Sequence, residues 1–278
     1  MRIVFAKFDV KYIYEMLSVC EISLFQLIFA NTIEPSPCVG EKIVSRAYDY
    51  VNEEAVKEAD LVVFALYPKV FEQWIDEYQH LFKAGAVITD VTGVKSCLVY
   101  NIQSKLRDDV EFIAAHPMAG REVYGVENSD DRIFYGANYI VVPTEKNTTS
   151  AIKLCSDLGI LLGFERISTL SPEEHDKMIG FVSQLTHCIA VSLMTCCDNE
   201  HLVDYTGDSF RDLTRIARIN ENMWSELFLL NKDDLIAQMD IFMKEFEELR
   251  NTIRNEDMEK IKEKMRLSTQ RRALFDRK

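Results

Sequence analysis

The sequence predicts two domains, an α/β domain with a parallel sheet followed by an all-helical domain. Short apolar segments alternate with amphipathic ones up to about residue 170, and strands that alternate with helices form parallel sheets with right-handed crossovers. From Ser171 onward only helical periodicity is present. We therefore predict a boundary near residue 170, with domains at 1–170 and 171–278.

The predicted strands of the first domain are nearly continuous apolar runs, which are typical of strands buried on both faces. They lie at 1–10, 61–67, 86–91, from Phe112, at 138–143 and at 164–168. The helices between them are predicted at 53–60, 70–82, 95–106 and 151–162. Residues 12–28 are predicted as helix and then strand, and 31–40, with two prolines, as a loop.

The second domain opens with a strong helix-start signal. Ser171 is a suitable N-cap, Pro172 fits the first helical position, and Glu174 can complete a capping box. Further helices are predicted at 209–219, 222–230 and from 233 to about 266. Glu/Lys pairs at helical spacing between 245 and 264 indicate a solvated helix face.

The length, composition and net charge of the chain limit the type of protein that it can be. The chain of 278 residues is 47% hydrophobic, which is ample for real cores. It has no apolar run of about 18 residues and no export leader, so we expect a cytoplasmic protein without a membrane span. The net charge of −13 disfavours nucleic-acid binding. Seven cysteines, an odd number without metal-ligand spacing, are expected to be reduced thiols that mostly fill cores, and no metal site is predicted.

The segment from Phe112 to Glu122 is the first candidate for chemistry. It begins as an apolar strand and ends in a Pro/Gly turn, with His116 at the junction. Ligands of parallel sheets bind at the carboxyl ends of strands, and histidine exchanges a proton near neutral pH. The alternative is a histidine that satisfies backbone groups in a strand-end turn.

The helical half offers three residues that could complete a site. Arg215 is flanked by apolar residues and could capture a carboxylate with its planar fork, although Asp212 is also available to it as an ion-pair partner. His187 could contribute to a binding site with His116, or it could be a core histidine capped by a backbone carbonyl. Trp224 follows shortly after in the chain.

A turn at 92–95 precedes a predicted helix, and backbone amides at a helix N-terminus favour anions. Lys95 in that turn could bind an anion or simply face solvent. His80 and His201 are expected to be structural.

Six short sequence motifs taken together resemble those of the prephenate dehydrogenase family, over about residues 45 to 245. They are Asp90-Val-Thr-Gly-Val-Lys95, Ala115-His-Pro-Met-Ala-Gly120, Ser171-Pro-Glu-Glu-His-Asp176, Ser183-Gln-Leu-Thr-His187, the Asp212-to-Ala217 motif and Asn222-Met-Trp224. The resemblance implies a Rossmann-like domain followed by a helical dimerisation domain, and hence a homodimer.

The resemblance also implies an activity, the oxidative decarboxylation of prephenate to 4-hydroxyphenylpyruvate in tyrosine biosynthesis, with hydride transfer to NAD or NADP. It makes His116 the base for the ring hydroxyl and Arg215 the binder of a substrate carboxylate. The other residues that it implies for the substrate site are His187, Trp224, Gly120 and Glu122. For the cofactor site they are Gly93, Lys95, Tyr67 and Pro68.

The chain departs from the family at its first strand. The family has a G-x-G-x-x-G turn there, whose glycines let the backbone approach the pyrophosphate, whereas this chain has Lys7, Asp9 and Tyr12 at the three positions. Asn31 is the nearest candidate for the acidic ribose-binding residue. The departure leaves three alternatives: altered cofactor binding, a replaced first segment of about 40 residues, or a catalytically silent relative that binds prephenate or an aromatic product.

Overall fold

A computed structural model describes residues 2–6, 44–47, 53–120 and 131–275. The chain forms two compact units, Met1–Asn231 and Lys232–Lys278. The expectations for 12–28 and 31–40, and those for Lys7, Asp9, Tyr12, Asn31 and Glu122, lie outside the described residues.

The first sheet is parallel and has five strands in the order β2-β1-β3-β4-β5. The strands are β1 (Arg2–Ala6), β2 (Val44–Ala47), β3 (Leu61–Phe64), β4 (Val87–Asp90) and β5 (Glu111–Phe112). All four pairings are parallel, and β3 pairs with β4 from Leu61↔Val87 to Phe64↔Asp90. The strand order reverses at β1, so the ligand crevice expected of such a sheet lies at the carboxyl ends of β1 and β3.

Helices α1 (Glu53–Glu58), α2 (Pro68–Tyr78) and α3 (Ser96–Lys105) connect these strands. One core cluster joins α2 to the sheet through aromatic contacts: the Phe64 ring stacks on Phe71 at 4.4 Å and meets Trp74 edge-on at 4.8 Å. These elements confirm the alternating pattern that the sequence predicts, with strands shorter than their apolar runs.

The prediction of a single parallel sheet is wrong beyond Phe112. A second sheet of three strands has the order β6-β7-β8, with β6 (Ala114–Met118), β7 (Asn138–Val142) and β8 (Arg166–Thr169). β6 is antiparallel to β7, and β7 is parallel to β8. After Ile113, whose N–H still bonds to Ile88 O, the chain changes partner strand and leaves the first sheet.

This change of sheet also corrects the predicted position of His116. It lies within β6, opposite Ile140, and not at the carboxyl end of a parallel strand. Helix α4 (Thr149–Leu161) covers the second sheet, and its Gly159 lies so close that an added Cβ would be 2.6 Å from the Tyr139 ring. A side chain at this position would therefore push the helix off the sheet.

The helical segment begins with α5 (Pro172–Ile179) at the predicted cap. Ser171 accepts a hydrogen bond from Glu174 N, and the Glu174 carboxylate accepts one from Ser171 N, so the capping box is complete. A π-helical turn, Gly180–Leu185, continues α5 into α6 (Thr186–Thr195). Three helices complete this unit, namely α7 (Leu202–Tyr205), α8 (Asp208–Thr214) and α9 (Glu221–Leu230).

The C-terminal unit is a helical hairpin of α10 (Lys232–Arg254) and α11 (Met258–Arg272). The sequence predicts one helix here, and that prediction is wrong because Glu256 adopts a left-handed φ of 54° and Asp257 caps a new helix. Lys264 of α11 therefore contacts Glu245 and Glu248 of α10. The Glu/Lys pattern includes contacts between two helices, not only along one face.

The described cysteines are free thiols, but they do not mostly fill cores as expected. Cys155 is buried, Cys188 is half-buried, and Cys97, Cys196 and Cys197 are exposed.

Candidate active site

A cavity of about 290 Å³ brings most of the predicted site residues together. It lies between β6 and the helical segment, within the first compact unit. The candidates that line it are Gly93, His116, Gly120, His187, Arg215 and Trp224. Residues that the sequence analysis did not single out also line it, among them Ser183, Gln184, Arg218 and Asn220.

His116 is 9% exposed, and one edge of its ring is held by another histidine. Its Nδ1 lies 2.9 Å from His175 Nε2, and His175 Nδ1 lies 2.8 Å from Asp176 Oδ1. Burial, followed by the positive charges that His175 and Lys95 can carry, lowers the pKa of His116 well below its ordinary value. The imidazole is therefore neutral at pH 7 and can accept a proton.

Asp176 caps helix α3 from across the structure. Its Oδ1 accepts a hydrogen bond from Lys95 N at 2.8 Å, and its Oδ2 accepts one from Ser96 N at 2.7 Å. The helix N-terminus after the 92–95 turn does attract an anion, but the anion is this carboxylate of the protein. These amides are thus engaged internally.

Lys95 has a different environment from either alternative in the sequence analysis. Its side chain is fully buried, and Nζ lies 2.6 Å from Asp90 Oδ2 and 3.1 Å from Thr92 Oγ1. The structure therefore corrects the assignment of Lys95 to the cofactor site, because an enclosed, ion-paired amine does not reach a bound phosphate. Gly93 does line the cavity, and an added Cβ there would meet Leu227 at an ordinary 3.5 Å.

His187 and Trp224 form one wall of the cavity. Their rings stack with centroids 3.7 Å apart, and His187 Nδ1 lies 2.9 Å from Ser183 O. His187 is thus capped by a backbone carbonyl and also faces the cavity. The π-helical turn supplies Ser183 and Gln184 to the same wall, in keeping with the frequent occurrence of such turns at functional sites.

Two arginines give the cavity a positive wall within an acidic protein. Arg215 lies in a short 3₁₀ turn, Arg215–Ala217, and Arg218 follows directly after it. The side chain of Asn220 caps α9 by accepting a hydrogen bond from Met223 N at 3.0 Å, which fixes the segment that carries the arginines. Among the described residues that line the cavity, none is acidic. The site therefore suits an anionic ligand.

Tyr67 and Pro68 lie away from this cavity, at the carboxyl end of β3. Pro68 is buried and begins α2, and Tyr67 is half-buried. They follow the strand edge at which the topology predicts a ligand crevice.

Known family domains match both halves of the chain. The nucleotide-binding domain of prephenate dehydrogenase matches residues 30–163, and its dimerization domain matches residues 171–267. The chain belongs to the prephenate dehydrogenase family. Its two halves are thus a Rossmann-like domain and a helical dimerisation domain, as the resemblance implies.

Individual relatives agree with the family. Prephenate dehydrogenase of Bacillus subtilis is 30% identical over 79% of this chain, which spans 60% of that protein's length. Cyclohexadienyl dehydrogenase of Zymomonas mobilis is 27% identical over 74% of this chain and 71% of its own length. The structure of prephenate dehydrogenase from Aquifex aeolicus, in complex with hydroxyphenyl propionate and NAD⁺, has a TM-score of 0.73 at 28% identity, covering 83% of this chain and 82% of that one.

The contacts behind His116 are not apparent from the sequence motifs. The motif from Ser171 to Asp176 is part of the family resemblance, but the resemblance implies no role for His175 or Asp176. Both are buried at the start of α5, although an aspartate is mostly exposed and is rarely buried unless it is paired. That adjacent pair, just after a strong N-cap, is the signal that could have identified them.

Proposed function

We propose that this chain is a cytoplasmic prephenate dehydrogenase of tyrosine biosynthesis, which converts prephenate to 4-hydroxyphenylpyruvate with hydride transfer to NAD or NADP. The observation that carries the proposal is the cavity itself, which the neutral His116 lines together with Arg215 and His187. The named relatives are dehydrogenases, which supports an enzyme over a catalytically silent binding protein.

His116 is the proposed general base. Its lowered pKa keeps the ring neutral, and a base must be unprotonated to take the proton of the ring hydroxyl. As that proton moves to His116, the carbinol carbon becomes a better hydride donor. Loss of CO₂ then makes the ring aromatic, and the electrons of the broken C–C bond complete the aromatic system.

The arginines and the stacked rings are the proposed substrate binders. Prephenate carries two carboxylates, and two arginines, Arg215 and Arg218, line the cavity. A planar guanidinium can bind a carboxylate through two parallel hydrogen bonds. His187 and Trp224 form the wall beside them, and Gly120 leaves space at the end of the β6 strand. Glu122 is a further proposed substrate contact, because it follows that strand in sequence.

The described half of the dinucleotide crevice fits an anionic cofactor. Residues 65–68 after β3 are uncharged, and the first turn of α2 has no acidic residue. We propose that Tyr67 and Pro68 border the bound dinucleotide and that Gly93 lies on the nicotinamide side, next to the His116 cavity. NAD or NADP supplies the hydride acceptor when bound.

We also propose that the functional domains divide at residue 170, as 1–170 and 171–278, and that two copies pair through the helical domain. The family domains meet between 163 and 171, which supports this division. The first compact unit nevertheless extends to Asn231, because the start of the helical segment packs against the α/β part around the site.

The replacement His116→Asn tests the proposed function. Asn keeps a donor for His175 but cannot take a proton, so we expect kcat to fall by about 10²–10⁴-fold, the usual contribution of general base catalysis. Absorbance at the reduced-nicotinamide band measures turnover, and calorimetry should show prephenate binding within about threefold of wild type, because the arginines are intact.

The matched control is His80→Asn, at an exposed histidine whose Nδ1 lies 3.1 Å from the Glu77 carbonyl oxygen and which does not line the cavity. It should leave turnover unchanged. Full turnover by His116→Asn would remove His116 from the mechanism. A wild-type protein that binds prephenate but shows no turnover with either cofactor would overturn the dehydrogenase assignment.

A further inference from the structure

A continuous hydrogen-bonded chain runs from the cavity into the protein through two histidines and a carboxylate. His175 has no solvent exposure. Its Nε2 lies 2.9 Å from His116 Nδ1, and its Nδ1 lies 2.8 Å from Asp176 Oδ1. Each of these contacts needs one donor and one acceptor, so the protonation of one end determines that of the other.

The donor in the hydrogen bond between His175 and Asp176 can be assigned. Both of its carboxylate oxygens accept hydrogen bonds from backbone amides, Oδ1 from Lys95 N and Oδ2 from Ser96 N. Burial opposes ionisation, but hydrogen bonds from His175 and Ser96 outweigh it and keep the pKa of the Asp176 carboxyl below its ordinary value. Asp176 is therefore an acceptor only, and His175 Nδ1 must donate to it.

The donor and acceptor roles at Asp176 determine those in the hydrogen bond between His175 and His116. Burial lowers the pKa of His175 although its bond to Asp176 opposes that shift, so His175 is neutral at pH 7 and Nε2 is an acceptor. His116 Nδ1 must donate to it. A neutral His116 that is protonated at Nδ1 carries its lone pair on Nε2, at the other edge of the ring that lines the cavity.

We propose that His175 and Asp176 are positioning residues, which hold His116 in the tautomer whose Nε2 can accept the substrate proton. The proposal rests on the proposed function through the base role of His116. Neither residue contacts the cavity. They act on the orientation and tautomer of the base and, once it is protonated, stabilise its positive charge through the Asp176 carboxylate.

The positions of the two residues are themselves fixed by buried contacts. Asn231 Nδ2 donates to Asp176 O at 2.9 Å and to Gln184 Oε1 at 2.7 Å, and Gln184 Nε2 donates to Leu227 O at 3.1 Å. These bonds join the start of α5 to the π-helical turn and to α9. A buried polar network of this kind favours a single arrangement when its members are satisfied.

The decisive variant is Asp176→Asn, because an amide can donate where the carboxylate only accepts. An amide that donates to His175 Nδ1 reverses both histidine bonds, which puts the His116 proton on Nε2 and removes the base. Loss of the correct histidine tautomer after the equivalent Asp→Asn change costs about 10⁴-fold in kcat in the serine-protease triad. Here we expect at least a 100-fold fall in kcat, with KM within about threefold of wild type.

Nitrogen-15 NMR of protein with labelled histidine rings reads the tautomer without turnover. The chain has five histidines, and the His116 signals are those lost in His116→Asn. In wild type we expect a protonated Nδ1 and an unprotonated Nε2, and in Asp176→Asn the reverse. Protonated Nε2 in wild type, or an unchanged tautomer and kcat in Asp176→Asn, would overturn the positioning role.

A second pair of variants covers the case in which Asp176→Asn fails to fold. His175→Gln keeps an acceptor near the Nε2 position and His175→Phe does not, so the glutamine variant should retain at least tenfold more kcat. The matched control His201→Gln, at an exposed histidine, should leave both kcat and tautomer unchanged. Equal loss in both His175 variants would contradict the proposal.

The two proposals fail in different ways. A wild-type protein with the expected His116 tautomer but no prephenate turnover overturns the proposed function and leaves the hydrogen-bond direction supported. An active wild type that loses turnover in His116→Asn but not in folded Asp176→Asn or His175→Phe overturns the positioning role alone.

Discussion

At the residue scale, the ion pair of Asp90 and Lys95 supports the site from inside the protein. Both side chains have no solvent exposure, and the pair joins the end of β4 to the start of α3. Asp90 also accepts hydrogen bonds from Thr92 N at 3.0 Å and Ala115 N at 3.2 Å. The residue before His116 is therefore held by this carboxylate, where the chain changes sheets.

We expect Asp90→Asn to lower the free energy of unfolding by about 3–5 kcal/mol, because it leaves the Lys95 ammonium buried without a counter-charge. The double variant Asp90→Asn/Lys95→Met removes both charges and should be more stable than Asp90→Asn alone. Urea denaturation of the wild type, both single variants and the double variant measures the coupling. Additive losses in the double variant would show that the pair is not coupled.

At the element scale, the N-terminal turn of α5 carries both the helix cap and the residues behind His116. The cap is made by Ser171 and Glu174. Glu174 directly precedes His175 in the chain. Replacement of an N-cap serine by alanine usually costs about 1 kcal/mol. We expect this loss of unfolding free energy for Ser171→Ala by urea denaturation, together with a lower kcat because the start of α5 frays.

The matched control is Ser104→Ala, an exposed serine near the end of α3 that bonds to the Asn101 carbonyl oxygen of its own helix. It should change the unfolding free energy by less than about 0.5 kcal/mol. If Ser171→Ala loses stability at the expected level but keeps full kcat, the cap does not control the position of His175.

The same element shows what sequence can and cannot predict. The Ser-Pro-Glu-Glu cap depends on local chemistry within four residues, and the structure confirms it. The contact between His116 and His175 joins positions 59 residues apart, and no local pattern specifies it. Likewise, an apolar run predicts the β6 strand but not its antiparallel partner, since pairing direction depends on β7. The break at Glu256 was missed because helical spacing continues on both sides of it.

At the scale of the whole molecule, most of the large apolar side chains that are exposed in the described structure lie in the helical part, and clustered exposed apolar side chains mark interaction surfaces. The continuous helix Pro172–Thr195 contains an 18-residue window with a mean hydropathy of 1.4, of which 28% is buried, so by length and composition alone the helix could cross a membrane. However, it carries His175, Asp176 and Gln184 in a buried polar network. We favour a second copy of the chain as its cover, since the family's dimerization domain matches this region.

Helix α10 offers a direct test of that pairing. Phe246 and Ile253 are 62% and 56% exposed and are seven residues apart, so they lie on one helix face. We expect the wild type to sediment as a dimer and Phe246→Glu/Ile253→Glu to sediment as a monomer, because two carboxylates on a covered apolar face lose their hydration. The control Lys244→Glu introduces negative charge at an exposed position on the other side of α10 and should remain dimeric. A double variant that stays dimeric would place the interface elsewhere on the helical domain, and a monomeric wild type would rule out the homodimer.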